Sequence, residues 1–361
     1  MAIPATSASV LRARASHQRS GDPSFTSPED VVAHFGCMQS QDFAMAGWAI
    51  GRRTNGLTDA MLGKSFTSGR FLRTHILRPT WHFVLPEDLG WMMKLTAPRV
   101  HRLMASHNKT IDLAEPELAK ASEVIVETLS DGEAMTRTEL AAHLAEAGIH
   151  ATSIRLAHLF IHAELETLIC NGPLAGKQHT YILAPPAVRN AAAAMTEDEA
   201  LAQLARTYIR GHGPSQPADL SWWSSLTLSQ SRKAFEFAGL TPLSIEGESY
   251  WTDETQIEAE LPVAALIPAF DETISYVRKP LDHVRYPGVT PDLARGGGLL
   301  FVGGVIGGSW SRKVKAESVE IEVTCHGKLS KKERLAIELE ADRYAAFLEA
   351  AYELKLVGQF L

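Results

Sequence analysis

Two glutamines two residues apart, Gln39 and Gln41, are the most informative chemical feature of the sequence. A glutamine amide does not titrate, so the pair cannot act as a general base, but it can hold a water and a sugar without adding charge. Such a pair suits a reaction whose leaving group is already activated. A polar turn between two helices is the simpler interpretation, and spacing alone leaves both open.

The surrounding residues predict an exposed connection between two helices for the glutamines. A proline and two acids from Pro28 onward are typical of a helix start, and Gly36 of a helix end. Asp42 is a predicted N-cap of the next helix. In an extended stretch alternate side chains point the same way, so Gln39 and Gln41 would share a face.

Helix and strand signals along the chain predict a mainly α protein with small β elements. Residues 1–110, 111–195 and 196–260 each show helices followed by a short hairpin, the outline of a winged helix-turn-helix domain. Residues 261–361 show strands and a closing helix, which predicts a C-terminal β-barrel-like domain.

Several local signals are specific enough to be tested directly. Thr136 and Glu139 have the spacing of a capping box, and Ser229 is a predicted N-cap. The glycine pair Gly303-Gly304 between two apolar runs predicts a two-residue hairpin turn. The closing helix is predicted from Lys331 to Ala350.

The composition is that of an ordinary globular protein, with 45% hydrophobic and 21% charged residues among 361. No apolar run reaches the length of a membrane span and no secretory signal is seen, so a cytoplasmic location is expected. The three cysteines are far apart without metal spacing, so neither a metal site nor a cofactor is predicted. No obligate protein partner is inferred.

Charge is distributed unevenly along the chain, although the formal net charge of −7 argues against a nucleic-acid partner. Residues 1–110 hold 13 Lys and Arg against 7 Asp and Glu, whereas the remainder is strongly acidic. A basic segment of this kind can face a polyanion.

Five groups of residues together resemble the bacterial winged-helix proteins related to the AlkZ-type DNA glycosylases, over nearly the whole chain. The groups are Gln39-Ser40-Gln41-Asp42 with Trp48-Ala49-Ile50-Gly51; Arg73-Thr74-His75 with Arg78-Pro79-Thr80-Trp81-His82-Phe83; Leu95-Thr96-Ala97-Pro98-Arg99; His212-Gly213-Pro214 with Asp219-Leu220-Ser221-Trp222-Trp223-Ser224; and Pro268-Ala269-Phe270-Asp271-Glu272. The resemblance implies three tandem winged helices, a C-terminal β-barrel and a nucleoid-associated protein.

The resemblance implies that Gln39 and Gln41 are catalytic, with Asp42 as an auxiliary group. Ser40 departs from the aliphatic residue usual between the two glutamines. In the basic first segment, the arginines expected to contact DNA phosphates are Arg73, Arg78, Arg99 and Arg102.

The function implied is hydrolysis of the N-glycosidic bond of alkylated purines in double-stranded DNA, in base excision repair or in self-resistance to a genotoxin. The doubled glutamine is more similar to alkyl-purine enzymes than to the crosslink-unhooking branch that has aspartate. A non-catalytic DNA-binding protein or transcriptional regulator is one alternative. A resistance protein that binds a small molecule is the other.

Overall fold

The computed structural model describes residues 8–21, 23–151, 153–188, 195–253, 261–277 and 297–360. Helices predominate before residue 240 and strands after it. Within the described residues, no helix combines the length and the hydropathy that crossing a bilayer requires.

The N-terminal part surrounds a small three-stranded antiparallel sheet, ordered β1-β3-β2. Its elements are α1 (Ala8–His17), α2 (Pro28–Phe35), β1 (Cys37–Gln39), α3 (Phe43–Gly51), α4 (Asp59–Thr67), β2 (Leu72–His75), β3 (Trp81–Val84) and α5 (Pro86–Thr110). The short strand β1 carries the first glutamine at its end and pairs with β3.

Two further groups of helices, each followed by a hairpin, make up the middle of the chain. The first contains α6 (Glu115–Thr128), β4 (Met135–Thr136), α7 (Arg137–Glu146), α8 (Ser153–Leu165), β5 (Ile169–Asn171) and β6 (Thr180–Leu183). The second contains α9 (Glu197–His212), α10 (Pro217–Ser224), α11 (Leu228–Phe237), β7 (Thr241–Ile245) and β8 (Glu248–Thr252). Helix α8 packs against α5, and α9 packs against α2 and α5.

The C-terminal part is an open sheet, so the predicted barrel-like closure is wrong for the described residues. Its elements are β9 (Ala264–Ile267), a 3₁₀ turn (Glu272–Ile274), β10 (Gly298–Val302), β11 (Val305–Val314), β12 (Ser318–Leu329), α12 (Lys331–Phe347) and β13 (Ala351–Phe360). The five strands are ordered β13-β12-β11-β10-β9, so β13 and β9 form opposite edges. Strand β13 joins β12 in parallel after the helix crossover and extends the sheet instead of closing it.

The largest apolar core joins the two ends of the chain. Trp48 and Phe83 pack in one cluster with Leu266, Ile321 and Tyr344. The Trp48 indole N–H also donates to the Leu266 carbonyl at 3.0 Å. The N-terminal helices and the C-terminal sheet therefore share buried surface, which holds the Gln39–Gln41 segment between them.

Candidate active site

The two glutamines flank a buried serine at the end of β1. Gln39 pairs with His82 of β3, and the Ser40 N–H donates to the Trp81 carbonyl at 2.8 Å, which continues the ladder by one residue. Gln39 is half-buried, Ser40 is 0% exposed and Gln41 is exposed. This alternation fits an extended segment whose two amides share one side. The buried Ser40 hydroxyl has no hydrogen-bond partner among the described residues, at the position where the resemblance has an aliphatic residue.

Gln39 is held through both its backbone and its side chain. Its backbone N–H donates to Glu272 Oε1 at 2.8 Å. Its amide Oε1 accepts from Arg78 Nη2 at 3.2 Å. An amide oxygen has two lone pairs, so this contact leaves one free for a water while fixing the direction of the amide.

Glu272 is the buried group on which the segment rests. Its Oε2 accepts from His212 Nε2 at 2.9 Å and from the Trp223 indole N–H at 3.1 Å. Burial raises the pKa of this carboxyl, but hydrogen bonds from His212 and from the Gln39 N–H outweigh it and leave the pKa below its usual value. The carboxylate is therefore ionised at neutral pH and joins three distant parts of the chain.

The neighbouring Asp271 fixes the same turn to Arg53, two residues after the end of α3. Its two oxygens accept from Arg53 Nη1 and Nη2, each at 2.8 Å, in a fully buried ion pair. Burial raises the pKa of Asp271, but the Arg53 guanidinium outweighs it and holds the pKa far below its usual range. A bidentate pair of this kind sets position and orientation together.

Arg73 lies inside the protein and not on its surface. It is 2% exposed, and its Nη2 and Nε donate to the Ser40 carbonyl at 2.9 and 3.1 Å. Its Nη1 donates to Asn171 Oδ1 at 2.7 Å, and its guanidinium lies 4.3 Å from the Trp81 ring centre. Burial lowers the pKa of Arg73 to about 10, so it stays charged at neutral pH. These contacts orient the segment between the glutamines.

The other three arginines are more exposed than Arg73. Arg78 is half-buried, with its guanidinium 4.5 Å from the Trp222 ring centre, and burial lowers its pKa. Arg99 is half-buried and its Nε donates to the Ser225 carbonyl at 3.1 Å. Arg102, in the same helix α5, is exposed. Only this last side chain is fully available at the surface.

Gln41 and Asp42 complete the connection to α3. Gln41 Oε1 accepts from the Trp81 N–H at 3.4 Å, a long contact that leaves the exposed amide free to turn. Asp42 is the N-cap, as predicted, and its Oδ1 accepts from the Met45 N–H at 3.0 Å. The same oxygen lies 3.7 Å from Arg312 Nη2.

His82, opposite Gln39, is a neutral buried ring. Burial lowers its pKa to about 3, and its Nδ1 lies 2.9 Å from the Thr80 carbonyl. The contact makes Nδ1 the donor, which leaves Nε2 as an acceptor; this atom is buried without a hydrogen-bond partner among the described residues. A neutral ring with this pKa cannot donate a proton to a leaving group at neutral pH.

Comparison with known proteins confirms the family indicated by the motifs. The family model described as AlkZ-like DNA glycosylase matches residues 32–347. This chain belongs to the AlkZ-like DNA glycosylase family. A curated relative, the "Interstrand DNA cross-link repair glycosylase" of Streptomyces sahachiroi, is 24% identical over 234 residues, which are 61% of this chain and 62% of that protein. The solved structure of Streptomyces sahachiroi DNA glycosylase AlkZ superposes with a TM-score of 0.77 at 20% identity, over 99% of this chain and 100% of that chain.

For this AlkZ-like chain, the sequence shows the motif groups but does not predict which of their residues contact each other. Glu272, His212 and Trp223 belong to two of the five motif groups, and the structure brings them together behind Gln39. Asn171, which holds Arg73, lies in no motif group. A polar residue in the loop of a predicted hairpin gave no signal of that contact.

Proposed function

We propose that this protein is a DNA N-glycosylase that hydrolyses the N-glycosidic bond of alkylated purines, with Gln39 and Gln41 as the catalytic pair. The observation that carries the proposal is the double anchoring of Gln39. Glu272 holds its backbone at 2.8 Å and Arg78 its amide oxygen at 3.2 Å, beside the exposed Gln41. A polar turn without chemistry would not need such support from two other parts of the chain.

This reaction depends more on correctly oriented amide groups than on a general acid. Alkylation at a ring nitrogen makes the purine cationic, so the base leaves without a proton and the sugar develops oxocarbenium character, as in glycoside hydrolysis. Amide oxygens aimed at that charge and at a water stabilise the transition state because they are already in place. Asp42 would add negative charge nearby, although its Oδ1 already caps α3.

We assign different roles to the four arginines. Arg73 and Arg78 are proposed as positioning residues, because both contact the Gln39–Ser40 segment directly. Arg99 and Arg102 are proposed for phosphates, together with Lys94 on the same helix; all three line a cavity of about 290 Å³ between α5 and α9. Part of the excess positive charge of residues 1–110 lies inside the protein, because four of its arginines are buried: Arg14, Arg52, Arg53 and Arg73.

The domain layout proposed is three tandem winged helices. In residues 111–195, α6, α7 and α8 precede a hairpin of β5 and β6, and β4 adds a third strand, which is the order of a winged helix-turn-helix unit. The helices of the other two segments are likewise followed by short strands.

Unhooking of interstrand crosslinks is a second candidate, favoured by the name of the curated relative, an interstrand cross-link repair glycosylase. Both reactions break the same bond of an alkylated purine and differ in what the base remains attached to. A non-catalytic DNA binder and a small-molecule resistance protein are the remaining alternatives.

Release of base from defined oligonucleotides tests the proposal. Duplexes with one 7-methylguanine, or with one interstrand crosslink between purine ring nitrogens, are incubated with the protein and the released base is chromatographed. We expect Gln39→Ala with Gln41→Ala to lower the rate at saturating DNA by on the order of a hundredfold or more, with DNA affinity within a few-fold.

The matched control is Arg102→Ala, because its side chain is exposed and does not contact the glutamines. It should weaken binding of all sequences and reduce the salt dependence, with little effect on the saturated rate. Arg78→Ala is unsuitable as a control, since it would also release the Gln39 amide. If wild type releases base from neither duplex, a non-catalytic DNA-binding protein becomes the better explanation of the site.

A further inference from the structure

A cluster of two histidines and a carboxylate lies between α5 and α8, formed by residues with no part in the proposed site. His101 comes from α5, His162 from α8, and Glu166 follows directly after α8. One ligand atom from each lies within 4.8 Å of the other two. The His101 Nε2 and Glu166 Oε1 atoms are 2.9 Å apart, and the two imidazole rings are 5.4 Å apart between centres.

Local geometry explains why these three side chains meet. His162 and Glu166 are four residues apart, and the Glu166 N–H donates to the His162 carbonyl at 3.0 Å, so the spacing places both on one helical face. Helix α5 packs against α8 and brings His101 to that face. The set is therefore fixed by packing of two helices and not by one mobile loop.

His101 and Glu166 lie close together without a well-formed hydrogen bond. Although Nε2 lies 2.9 Å from the carboxylate, it is buried and makes no hydrogen bond of acceptable geometry. Where the Nε2 lone pair faces the carboxylate, the two atoms repel each other at this distance. A cation bound by both atoms would turn the repulsion into attraction.

We propose that His101, His162 and Glu166 bind one divalent transition-metal ion, for which Zn²⁺ is the best match. Two imidazole nitrogens and one carboxylate oxygen are a ligand set that zinc commonly takes, at about 2.0 to 2.2 Å from the metal. Mg²⁺ and Ca²⁺ prefer sets made only of oxygen. Donor atoms already within 4.8 Å need only small side-chain movements to converge on one ion.

The metal would act as a clamp between two segments of the chain. His101 lies in residues 1–110 and the other two ligands in residues 111–195, so the ion would fix the orientation of these segments. Three protein ligands leave a fourth tetrahedral position for water or an external ligand. This role does not depend on the glycosylase proposal.

Zinc titration of the chelator-treated full-length protein tests the site. We expect calorimetry to give one Zn²⁺ per chain, and bound Co²⁺ to show the strong visible absorption of tetrahedral coordination. His162→Ala should weaken Zn²⁺ binding by at least on the order of tenfold, since loss even of an outer partner has that effect. Zinc should raise the midpoint temperature of thermal unfolding for wild type but not for this variant.

The matched control is His143→Ala, which removes a histidine beside another carboxylate. His143 Nδ1 lies 3.5 Å from Glu146 Oε2 on the surface of α7. This variant should bind zinc as wild type does. Glu166→Gln provides a second test if His162→Ala fails to fold, because the Glu166 carboxylate is half-exposed.

Three outcomes overturn the proposal. The first is that wild type does not bind zinc near one equivalent. The second is that His162→Ala and Glu166→Gln, both folded by circular dichroism, bind zinc as tightly as wild type. The third is that His143→Ala loses as much zinc affinity as His162→Ala. The last two outcomes would place the zinc elsewhere.

Discussion

At the scale of single residues, Glu272 accepts hydrogen bonds from three buried donors, namely Gln39 N–H, His212 Nε2 and Trp223 Nε1. Glu272→Ala removes this acceptor, so we expect a loss of about 3 kcal/mol or more in the free energy of unfolding, together with loss of base release. Glu272→Gln keeps an oxygen for the Gln39 N–H, so it should recover part of the release rate per folded molecule.

The control separates positioning from stability. Glu340 is also a buried glutamate, and its Oε2 accepts from the Leu266 N–H at 3.2 Å in the C-terminal part. Glu340→Ala should destabilise the protein while leaving the saturated release rate per folded molecule near that of wild type. Equal loss of that rate in both alanine variants would remove the positioning role of Glu272.

Residue chemistry that is local in sequence could be predicted, and support from distant residues could not. The spacing of Gln39 and Gln41 is read directly from the sequence, and so is the N-cap role of Asp42, which the structure confirms. Glu272 lies 233 residues from Gln39, whose backbone N–H donates to it. Such a contact depends on how the C-terminal sheet packs, and no local pattern encodes it.

Arginine roles show the same limit. The sequence predicts Arg73 as a phosphate contact, whereas the structure places it at 2% exposure with its guanidinium on the Ser40 carbonyl. An arginine with a matching set of acceptors can be buried, and those acceptors come from other segments. Its proposed role therefore moves from holding phosphate to orienting the glutamine segment.

At the scale of helices and strands, boundaries encoded by neighbouring residues were predicted well. The capping box of Thr136 and Glu139 is present, and the glycine pair Gly303-Gly304 turns the hairpin with φ of 59° and 80°. The cap predicted at Ser229 is wrong by two residues, because Thr227 with Gln230 forms the capping box. The closing helix ends at Phe347, three residues before the predicted end.

The predicted barrel failed because closure depends on pairing between distant strands. Residues 352–356 alternate apolar and polar side chains, which is a strand signal. That strand adds beside β12 at the outer edge, while β9 stays at the other. Alternation predicts a strand but not its neighbour.

Two helical glycines give the prediction at the element scale. In α3, a Cβ at Gly51 would lie 2.6 Å from the Phe347 Cδ2 atom of α12. Gly51→Ala should therefore lower the free energy of unfolding by about 1 to 3 kcal/mol, despite the gain in helix propensity. In α4, a Cβ at Gly63 would meet no atom within 4 Å, so Gly63→Ala should stabilise by up to about 1 kcal/mol. Urea unfolding measures both, and a stabilised Gly51→Ala would contradict the close helix approach.

At the scale of the whole molecule, one hydrophobic core lies within a single predicted domain, whereas another is shared between two predicted domains. One cluster, which includes Leu118, Leu140, Phe160 and Tyr181, lies entirely within residues 113–181. The cluster of the first segment is completed by residues of the last, such as Tyr344. The boundaries 1–110, 111–195, 196–260 and 261–361 stay a prediction.

Isolated fragments test those boundaries. Residues 111–195 contain a complete core, so this fragment should unfold cooperatively on heating and show near-ultraviolet circular dichroism. Residues 1–110 lack Tyr344 and Phe347, whose rings pack on Trp48, so this fragment should aggregate or stay without fixed packing. Cooperative unfolding of 1–110 alone would show that the shared core is dispensable.

Acid sensitivity of the whole fold is the last prediction. Burial lowers the pKa of both His34 and His82 to about 3, whereas an unfolded histidine titrates near about 6.5. Between these values the unfolded chain binds more protons than the folded one, so the free energy of unfolding falls as pH drops. Each histidine contributes up to about 1.4 kcal/mol per pH unit, and its full stability is present only above about pH 6.5. His34→Gln and His82→Asn each keep a donor toward the carbonyl that the ring contacts, so the double variant should show a flatter pH profile in urea unfolding. A profile parallel to that of wild type would mean that these two rings do not set the acid sensitivity.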